Sequence, residues 1–132
     1  EHSFSAGHAL RHYKGKCENV HGHNYRVRVT VAGENLDQAG LLVDFSDLKT
    51  DLRCIADCFD HQFLNDLEPF DKINPSAENL AKYFHDFIAA RLQLRGIQLR
   101  SVTVWETDSS SATYFSAPGQ ETAGSAKGQV HD

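Results

Sequence analysis

The chain has 132 residues, of which 40% are hydrophobic and 23% are charged, a composition typical of one globular domain with one core. Its net charge of −5 gives no reason to expect a nucleic-acid partner, and no apolar run reaches the roughly 18 residues that a membrane span requires. The three irregularly spaced cysteines argue against a disulfide framework, so a reducing, cytoplasmic location is expected.

Two strands are predicted at the start of the chain, separated by a polar loop over residues 11–19. The opening residues alternate in polarity, with Phe4, Ala6 and His8 on one face. The stretch 21–33 alternates in the same way, as expected of a half-buried antiparallel strand. One face of this second strand carries His21, His23, Tyr25, Val27, Val29 and Val31.

Two helices and two further strands are predicted next. Ser46 is the predicted N-cap of the first helix, because apolar residues recur at helical spacing after it. The pair Asn74-Pro75 opens the second helix, and residues 96–107 and 112–116 form two more strands. The order β-β-α-α-β-β predicts an α+β domain with a four-stranded antiparallel sheet and two helices on one face.

The composition changes near the end of the chain. No aromatic residue follows Phe115, and the chain is rich in Ser, Ala, Pro, Gly and Gln from Ser116 onward. Residues 1–117 are therefore expected to form the single domain and residues 118–132 a flexible tail. A small sheet leaves two open edges, which favours a homo-oligomer.

Three histidines form a candidate metal site. Residues two apart on a strand point the same way, so His21 and His23 can bind one ion, and pairing of the first two strands would bring His8 opposite them. Three imidazoles suit zinc, although they also suit other divalent ions. They leave one coordination position open for water or substrate, as in catalytic sites. Four further histidines are interpreted as surface residues: His2, His12, His85 and His131.

Four other residues are candidates for catalysis or binding. A metal nearby would favour the reactive thiolate of Cys17, which could be a zinc ligand, a nucleophile or a base. Asp60 and His61 are either a solvated helix end or a proton relay. Glu106 ends a strand and is either a solvated rim residue or a buried acceptor for the N–H groups of a ligand. The remaining cysteines are interpreted as core residues: Cys54 and Cys58.

Six stretches of the chain together resemble the 6-pyruvoyl-tetrahydropterin synthase family. They follow the family's order and spacing over nearly all of residues 1–115: FSAGHAL (4–10), CENVHGHNY (17–25), VDFSDLK (43–49), FDHQFLN (59–65), NPSAENLA (74–81) and VWETD (104–108). The resemblance implies the T-fold, with subunits that assemble into barrels and usually into a hexamer of two trimers. It also implies one zinc ion per subunit, held by His8, His21 and His23.

The resemblance further implies a role for each of the other candidates. Cys17 would be the general base, Asp60 and His61 the relaying pair, and Glu106 the anchor of the pterin, with Thr107 beside it. The implied substrate is 7,8-dihydroneopterin triphosphate, bound between subunits. No motif marks its triphosphate site, for which three nearby cationic residues are candidates: Arg11, Lys14 and Lys16.

Two branches of this family differ in their product. One eliminates triphosphate and yields 6-pyruvoyl-tetrahydropterin. The other also cleaves the side chain, releases acetaldehyde and leaves 6-carboxy-5,6,7,8-tetrahydropterin for queuosine and related deazapurines. The C-x3-H-G-H spacing of residues 17–23 resembles the second branch, which we favour, whereas WETDSS (105–110) resembles the first. A third interpretation is a zinc-stabilised binding module, which would need neither a base nor a relay.

Overall fold

A computed structural model describes residues 1–14 and 19–117 and the backbone of residues 127–131. A single sheet runs through the domain in the strand order β3-β1-β2-β4-β5-β6. Its strands are β1 (His2–His8), β2 (His21–Ala32), β3 (Gln62–Phe63), β4 (Gln98–Thr107), β5 (Ser110–Phe115) and β6 (Lys127–His131). The two α-helices are α1 (Phe45–Phe59) and α2 (Ala77–Gln93), and a short 3₁₀ helix covers Leu64–Asp66.

The α+β class and the order of the main elements are confirmed. The four predicted strands are β1, β2, β4 and β5, and neighbouring members of this set pair antiparallel. Two strands were not predicted. β3 is only two residues long and pairs parallel with β1, and β6 pairs antiparallel with β5. Strand β6 thus lies within the predicted tail 118–132. Residues 118–126 and Asp132 are outside the described residues, and the boundary at residue 117 stays a prediction.

Side-chain caps set the start of each helix. The Asp44 carboxylate accepts the backbone N–H of Ser46 at 2.8 Å, so Asp44 is the N-cap of α1 and the prediction of Ser46 was wrong by two residues. Ser46 lies inside the first turn, where its N–H needs that acceptor. The N-cap of α2 is Ser76, whose hydroxyl accepts the N–H of Asn79 at 3.2 Å. Pro75 therefore precedes this cap.

The hydrophobic core lies between the helices and one face of the sheet. Helix α1 packs on β1, and α2 packs on β4 and β5. The fully buried side chains include Tyr25, Val27, Val102 and Val104 from the sheet and Leu80, Phe84, Ile88 and Leu92 from α2. Each buried Leu, Ile or Phe side chain stabilises the fold by about 1.5–3 kcal/mol. No helix of the described residues is both long enough and apolar enough to cross a membrane.

The structure corrects two interpretations of single residues. Cys54 and Cys58 are exposed on α1 and are not core residues, because they lie beside its apolar stripe. His85 is not a surface residue but is buried on α2. Its Nε2 atom lies 2.6 Å from Ser116 Oγ and its Nδ1 atom 3.0 Å from Asp86 Oδ1. The His85 side chain therefore connects α2 to the residue that follows β5.

Candidate metal and substrate site

The pairing of β1 with β2 brings the predicted metal ligands together. His8 lies opposite His21, and Ala6 lies opposite His23, in an antiparallel register. All three imidazoles project from the same face of the two strands, as the alternation predicts. The ring centroids are 4.8 Å apart for His8 and His23, 6.4 Å for His8 and His21, and 6.3 Å for His21 and His23.

His8 is oriented by a backbone carbonyl. Its Nδ1 atom lies 3.2 Å from the carbonyl oxygen of Pro75, just before the cap of α2. A carbonyl can only accept, so Nδ1 carries the proton and Nε2 keeps its lone pair. A hydrogen bond from the outer ring nitrogen to a carbonyl is the usual way in which proteins orient a metal-binding histidine.

The two Nε2 atoms of His8 and His23 converge to 2.9 Å. Zinc–nitrogen bonds of about 2.0–2.1 Å in a tetrahedral site put neighbouring nitrogens about 3.3 Å apart. The two rings would therefore have to separate by only a few tenths of an ångström to share an ion. The donor atoms and their spacing fit a zinc-type metal.

Glu106 completes the group on the side of β4. Its Oε1 atom lies 3.8 Å from His8 Nε2. The ligand atoms of His8, His23 and Glu106 all lie within 4.8 Å of one another, which makes them the group best placed to hold an ion among the described residues. The prediction named His21 in place of Glu106. The His21 ring borders this group, and its membership in the ligand set stays a prediction.

Tyr25 lies beneath the histidines and was missed by the sequence analysis. It is fully buried. Its ring packs edge-on against His8 and His23, with centroids at 6.2 and 5.6 Å, and stacks on Phe4 at 5.1 Å. Burial, and next the negative charge of Glu106, raise the pKa of Tyr25, so its hydroxyl keeps its proton. The only signal in the sequence is its place two residues after His23.

Two asparagine side chains hold the segment that follows His8. Asn65 accepts the N–H of Ala9 at 2.9 Å and donates to its carbonyl at 2.7 Å. Asn74 makes the same pair of bonds with Arg11, at 2.8 and 2.9 Å. Each amide thus replaces the partner that a neighbouring strand would provide. Together they determine the path of the chain as it leaves the metal site.

The cationic residues near the site are only partly available to a triphosphate. The guanidinium of Arg11 donates to the carbonyls of Phe70, Ile73 and Asn65 at 2.9, 3.2 and 3.3 Å. This side chain therefore has a structural task, which argues against it as a triphosphate ligand. Lys14 lies over the ring of Tyr13, with its Nζ atom 5.1 Å from the centroid, and Lys16 is outside the described residues.

Asp60 and His61 are hydrogen-bonded to each other at the end of α1, and their role as a proton relay stays a prediction. Asp60 Oδ2 lies 3.1 Å from His61 Nδ1. Asp60 Oδ1 accepts the N–H of Ser5 at 2.9 Å, and the N–H of His61 donates to the carbonyl of Ser5 at 2.6 Å. The hydrogen bond from Ser5 is the largest cause that lowers the pKa of Asp60, and the bond with His61 lowers it further. Asp60 is therefore held as a carboxylate beside an exposed imidazole.

His61 borders a cavity beside strands β1 and β2. His61 has a φ of +58°, a left-handed conformation that is uncommon for a residue with a side chain. This cavity has a volume of about 370 Å³, and His23 is the only member of the histidine cluster in its lining. Its lining comprises Ser5, Ala6, Gly7, Gly22, His23, Asn24, His61 and Gln62. The strand residues Ser5, Gly7, Gly22 and Asn24 alternate with the imidazoles and therefore face the other side of the sheet. The cavity does not join His61 to the metal cluster within this chain.

Two predicted site residues do not enter this geometry as described: Cys17 is not described, and Thr107 lies at the end of β4. Cys17, the predicted base, is among residues 15–18 and so falls outside the described residues. Thr107 is exposed at the end of β4, where its hydroxyl accepts the N–H of Ser109 at 3.3 Å. The structure thus brings together His8, His21, His23 and Glu106.

Comparisons with known proteins agree with this fold. The family model for 6-pyruvoyl tetrahydropterin synthase matches residues 1–117. A 6-carboxy-5,6,7,8-tetrahydropterin synthase of Synechocystis is 40% identical over 122 residues, which cover 88% of this chain and 90% of that protein. A putative 6-pyruvoyl tetrahydrobiopterin synthase of Caenorhabditis elegans is 33% identical, over 85% of this chain and 89% of that protein.

A solved structure shows the same architecture. The 6-pyruvoyl tetrahydropterin synthase structure of Caenorhabditis elegans superimposes with a TM-score of 0.75 at 32% identity, covering 88% of this chain and 91% of that one. The T-fold expected from the resemblance is thereby confirmed. The chain belongs to the 6-pyruvoyl tetrahydropterin synthase family.

Proposed function

We propose that this chain is a zinc-dependent 6-carboxy-5,6,7,8-tetrahydropterin synthase that acts in queuosine or deazapurine biosynthesis. It would convert 7,8-dihydroneopterin triphosphate to 6-carboxytetrahydropterin and release acetaldehyde and triphosphate. The observation that carries this proposal is the convergence of His8 and His23 to 2.9 Å beside Glu106. The 40% identity to the Synechocystis protein of that name supports the choice of product.

The metal would be held by His8 and His23, with His21 as the third imidazole. When bound, zinc supplies Lewis-acid polarisation of the oxygen atoms of the substrate side chain. The carbonyl of Pro75 keeps the Nε2 atom of His8 available for this task. Three protein ligands leave one position for the substrate, which a purely structural zinc site would close.

Glu106 would recognise the pterin ring. A carboxylate can accept two parallel N–H bonds, one from the 2-amino group and one from the ring N–H, with assistance from its charge. The side chain of Glu106 is 26% exposed, so one of its oxygens is accessible from outside the core. Thr107, the next residue on β4, would lie at the rim of the bound ring.

Cys17 and the pair of Asp60 and His61 would move the protons. Cys17, acting as a thiolate, would take a proton from the substrate side chain. His61 would give or accept the second proton at Nε2, because its Nδ1 atom faces Asp60. The carboxylate of Asp60 would orient the His61 ring through this contact. Such positioned acid–base groups typically contribute 10²–10⁴-fold to a rate.

The second candidate function is that of a 6-pyruvoyl tetrahydropterin synthase. It is favoured by the Caenorhabditis elegans relative and by the structure with a TM-score of 0.75. The same site residues would serve both reactions, and only the fate of the side chain differs. The non-catalytic zinc module is less well supported, because a structural zinc site needs no carboxylate–imidazole pair and the relatives of this chain are named as synthases.

We further propose that the protein works as a homohexamer of two trimers, with the active site completed between subunits. The open edges of the sheet and the exposed position of His61 are consistent with this arrangement. Sedimentation of the zinc-loaded protein tests it. A hexamer supports the proposal, and a monomer that is fully active would reject the shared site.

The function is tested by incubating the zinc-loaded protein with 7,8-dihydroneopterin triphosphate and measuring acetaldehyde and pterin products together. We expect acetaldehyde and 6-carboxytetrahydropterin in equal amounts. A pyruvoyl product without acetaldehyde would select the second candidate function. No turnover by protein with confirmed zinc would reject both enzymatic functions. The metal-stripped protein and the Cys17→Ala variant are the controls.

A further inference from the structure

The hydroxyl of Tyr25 is a buried donor without an acceptor. Tyr25 is 0% exposed, and its Oη atom has no hydrogen-bond partner among the residues that the structure describes. Buried tyrosine hydroxyls nearly always have a partner, because burial of an unsatisfied polar group is costly. Because this hydroxyl lies beside a candidate metal site, we infer that its hydrogen-bond acceptor reaches it only when the metal is bound.

Glu106 is the acceptor that the topology places next to Tyr25. Strands β2 and β4 pair Val27 with Val104 and Arg26 with Trp105. One step further along the same register, Tyr25 and Glu106 are cross-strand neighbours on the face that carries the metal cluster.

The carboxylate of Glu106 lies beside the metal-binding nitrogen of His8. This carboxylate now points towards His8, with Oε1 at 3.8 Å from Nε2. A metal ion bound at this nitrogen would accept its lone pair and would place a positive charge beside the Glu106 carboxylate. The carboxylate has lone pairs on both oxygens and can accept from Tyr25 on one side and from a pterin on the other.

We propose that Tyr25 is a positioning residue for Glu106, whose carboxylate accepts the Tyr25 O–H once a metal occupies the histidine cluster. This inference rests on the metal site of the proposed function. It gives the buried hydroxyl a partner and explains how Glu106 would be held while its other oxygen binds the pterin. Tyr25 need not touch the substrate.

The test is a double-mutant cycle read by thermal unfolding, with and without one equivalent of Zn²⁺. Tyr25→Phe removes only the oxygen atom, and Glu106→Ala removes the acceptor. Without zinc, Tyr25→Phe should unfold at or above the wild-type temperature, because it deletes an unsatisfied group. With zinc, its midpoint should fall below wild type by about 5 °C, the size expected for a hydrogen bond to a charged group.

The zinc-dependent loss should disappear in the Glu106→Ala background if the two residues act as a pair. A loss that persists there would overturn the proposal, because Tyr25 would then have another partner. Equal midpoints for wild type and Tyr25→Phe with zinc would overturn it as well. Failure of zinc to stabilise the wild type would instead reject the metal site itself, and the Tyr25 inference with it.

Two further measurements separate positioning from a structural effect. Tyr83→Phe is the matched control, since Tyr83 packs against Phe59 and Phe70 away from the metal cluster. Its effect should not depend on zinc. In turnover, Tyr25→Phe should raise KM for the pterin substrate by about 10-fold with a smaller change in kcat, as expected when the ring anchor is loosened. An unchanged KM would contradict the role.

Discussion

Asn65 offers the most direct test of how the chain around His8 is held. The Asn65→Ala substitution deletes both hydrogen bonds to Ala9, the residue that immediately follows His8. Two bonds of about 1 kcal/mol each are lost. The N–H and C=O groups of Ala9 are partly buried, so water replaces them incompletely. We therefore expect the free energy of unfolding to fall by about 2–3 kcal/mol.

This loss has a size that thermal unfolding can resolve. For a chain of 132 residues, an unfolding entropy of about 2.1 cal/mol/K per residue converts 2–3 kcal/mol into a midpoint lower by roughly 7–11 °C. The position of His8 should loosen as well. We expect the affinity for zinc to drop about 10-fold, the lower end of the range for groups that support metal ligands.

The assay is thermal unfolding of the zinc-free protein combined with competition for zinc by a chelator. Asp37→Ala is the matched control. Asp37 also makes two side-chain bonds to backbone N–H groups, those of Ala39 and Leu41 at 2.8 and 2.9 Å, in an exposed turn. It should cost little stability and leave zinc binding unchanged. If Asn65→Ala bound zinc as tightly as the wild type, the two Asn65 hydrogen bonds to Ala9 would not be needed to position His8, and the argument would be refuted.

Four other substitutions test separate parts of the site. Cys17→Ala should keep zinc and the fold but lose more than about 100-fold in kcat, and a variant with most of its activity would exclude Cys17 as the base. Glu106→Gln should chiefly raise KM, since an amide cannot accept two N–H bonds with charge assistance; an unchanged KM would remove Glu106 from pterin binding. Asp60 has a lowered pKa, so its contribution to stability is present above its unfolded pKa near 3.8 and is lost as the pH falls through the lower folded value. The Asp60→Asn variant should therefore unfold less steeply with acid below about pH 4. Identical acid titrations of the variant and the wild type would contradict this. His85→Leu should lower the unfolding midpoint by a few degrees through loss of the bond to Ser116 without changing zinc affinity, as a calorimetric titration would show.

The metal cluster could be predicted because strand alternation is a strong local signal. His21 and His23 are two residues apart, so their shared face follows from the period of a strand alone. The match of His8 to His21 needed only the antiparallel pairing of two adjacent strands, which the structure confirms. The element order followed from periodicity in the same way.

The missed residues depend on contacts that no local pattern contains. Asn65 and Asn74 bind backbone groups 56 and 63 residues away along the chain. His85 is buried because it meets Ser116, which is 31 residues further on. Tyr25 looks like any aromatic residue in a strand, and only the structure shows that its hydroxyl lacks a partner among the described residues.

The most direct test of the central claim is anomalous X-ray scattering at the zinc edge from crystals of the zinc-loaded protein. We predict one peak per chain, about 2.0–2.1 Å from nitrogens of His8, His21 and His23, with the next position open towards Glu106. A zinc ion closed by Cys17 at about 2.3 Å as a fourth protein ligand would indicate a structural site. That result, or the absence of a peak at this cluster, would contradict the account.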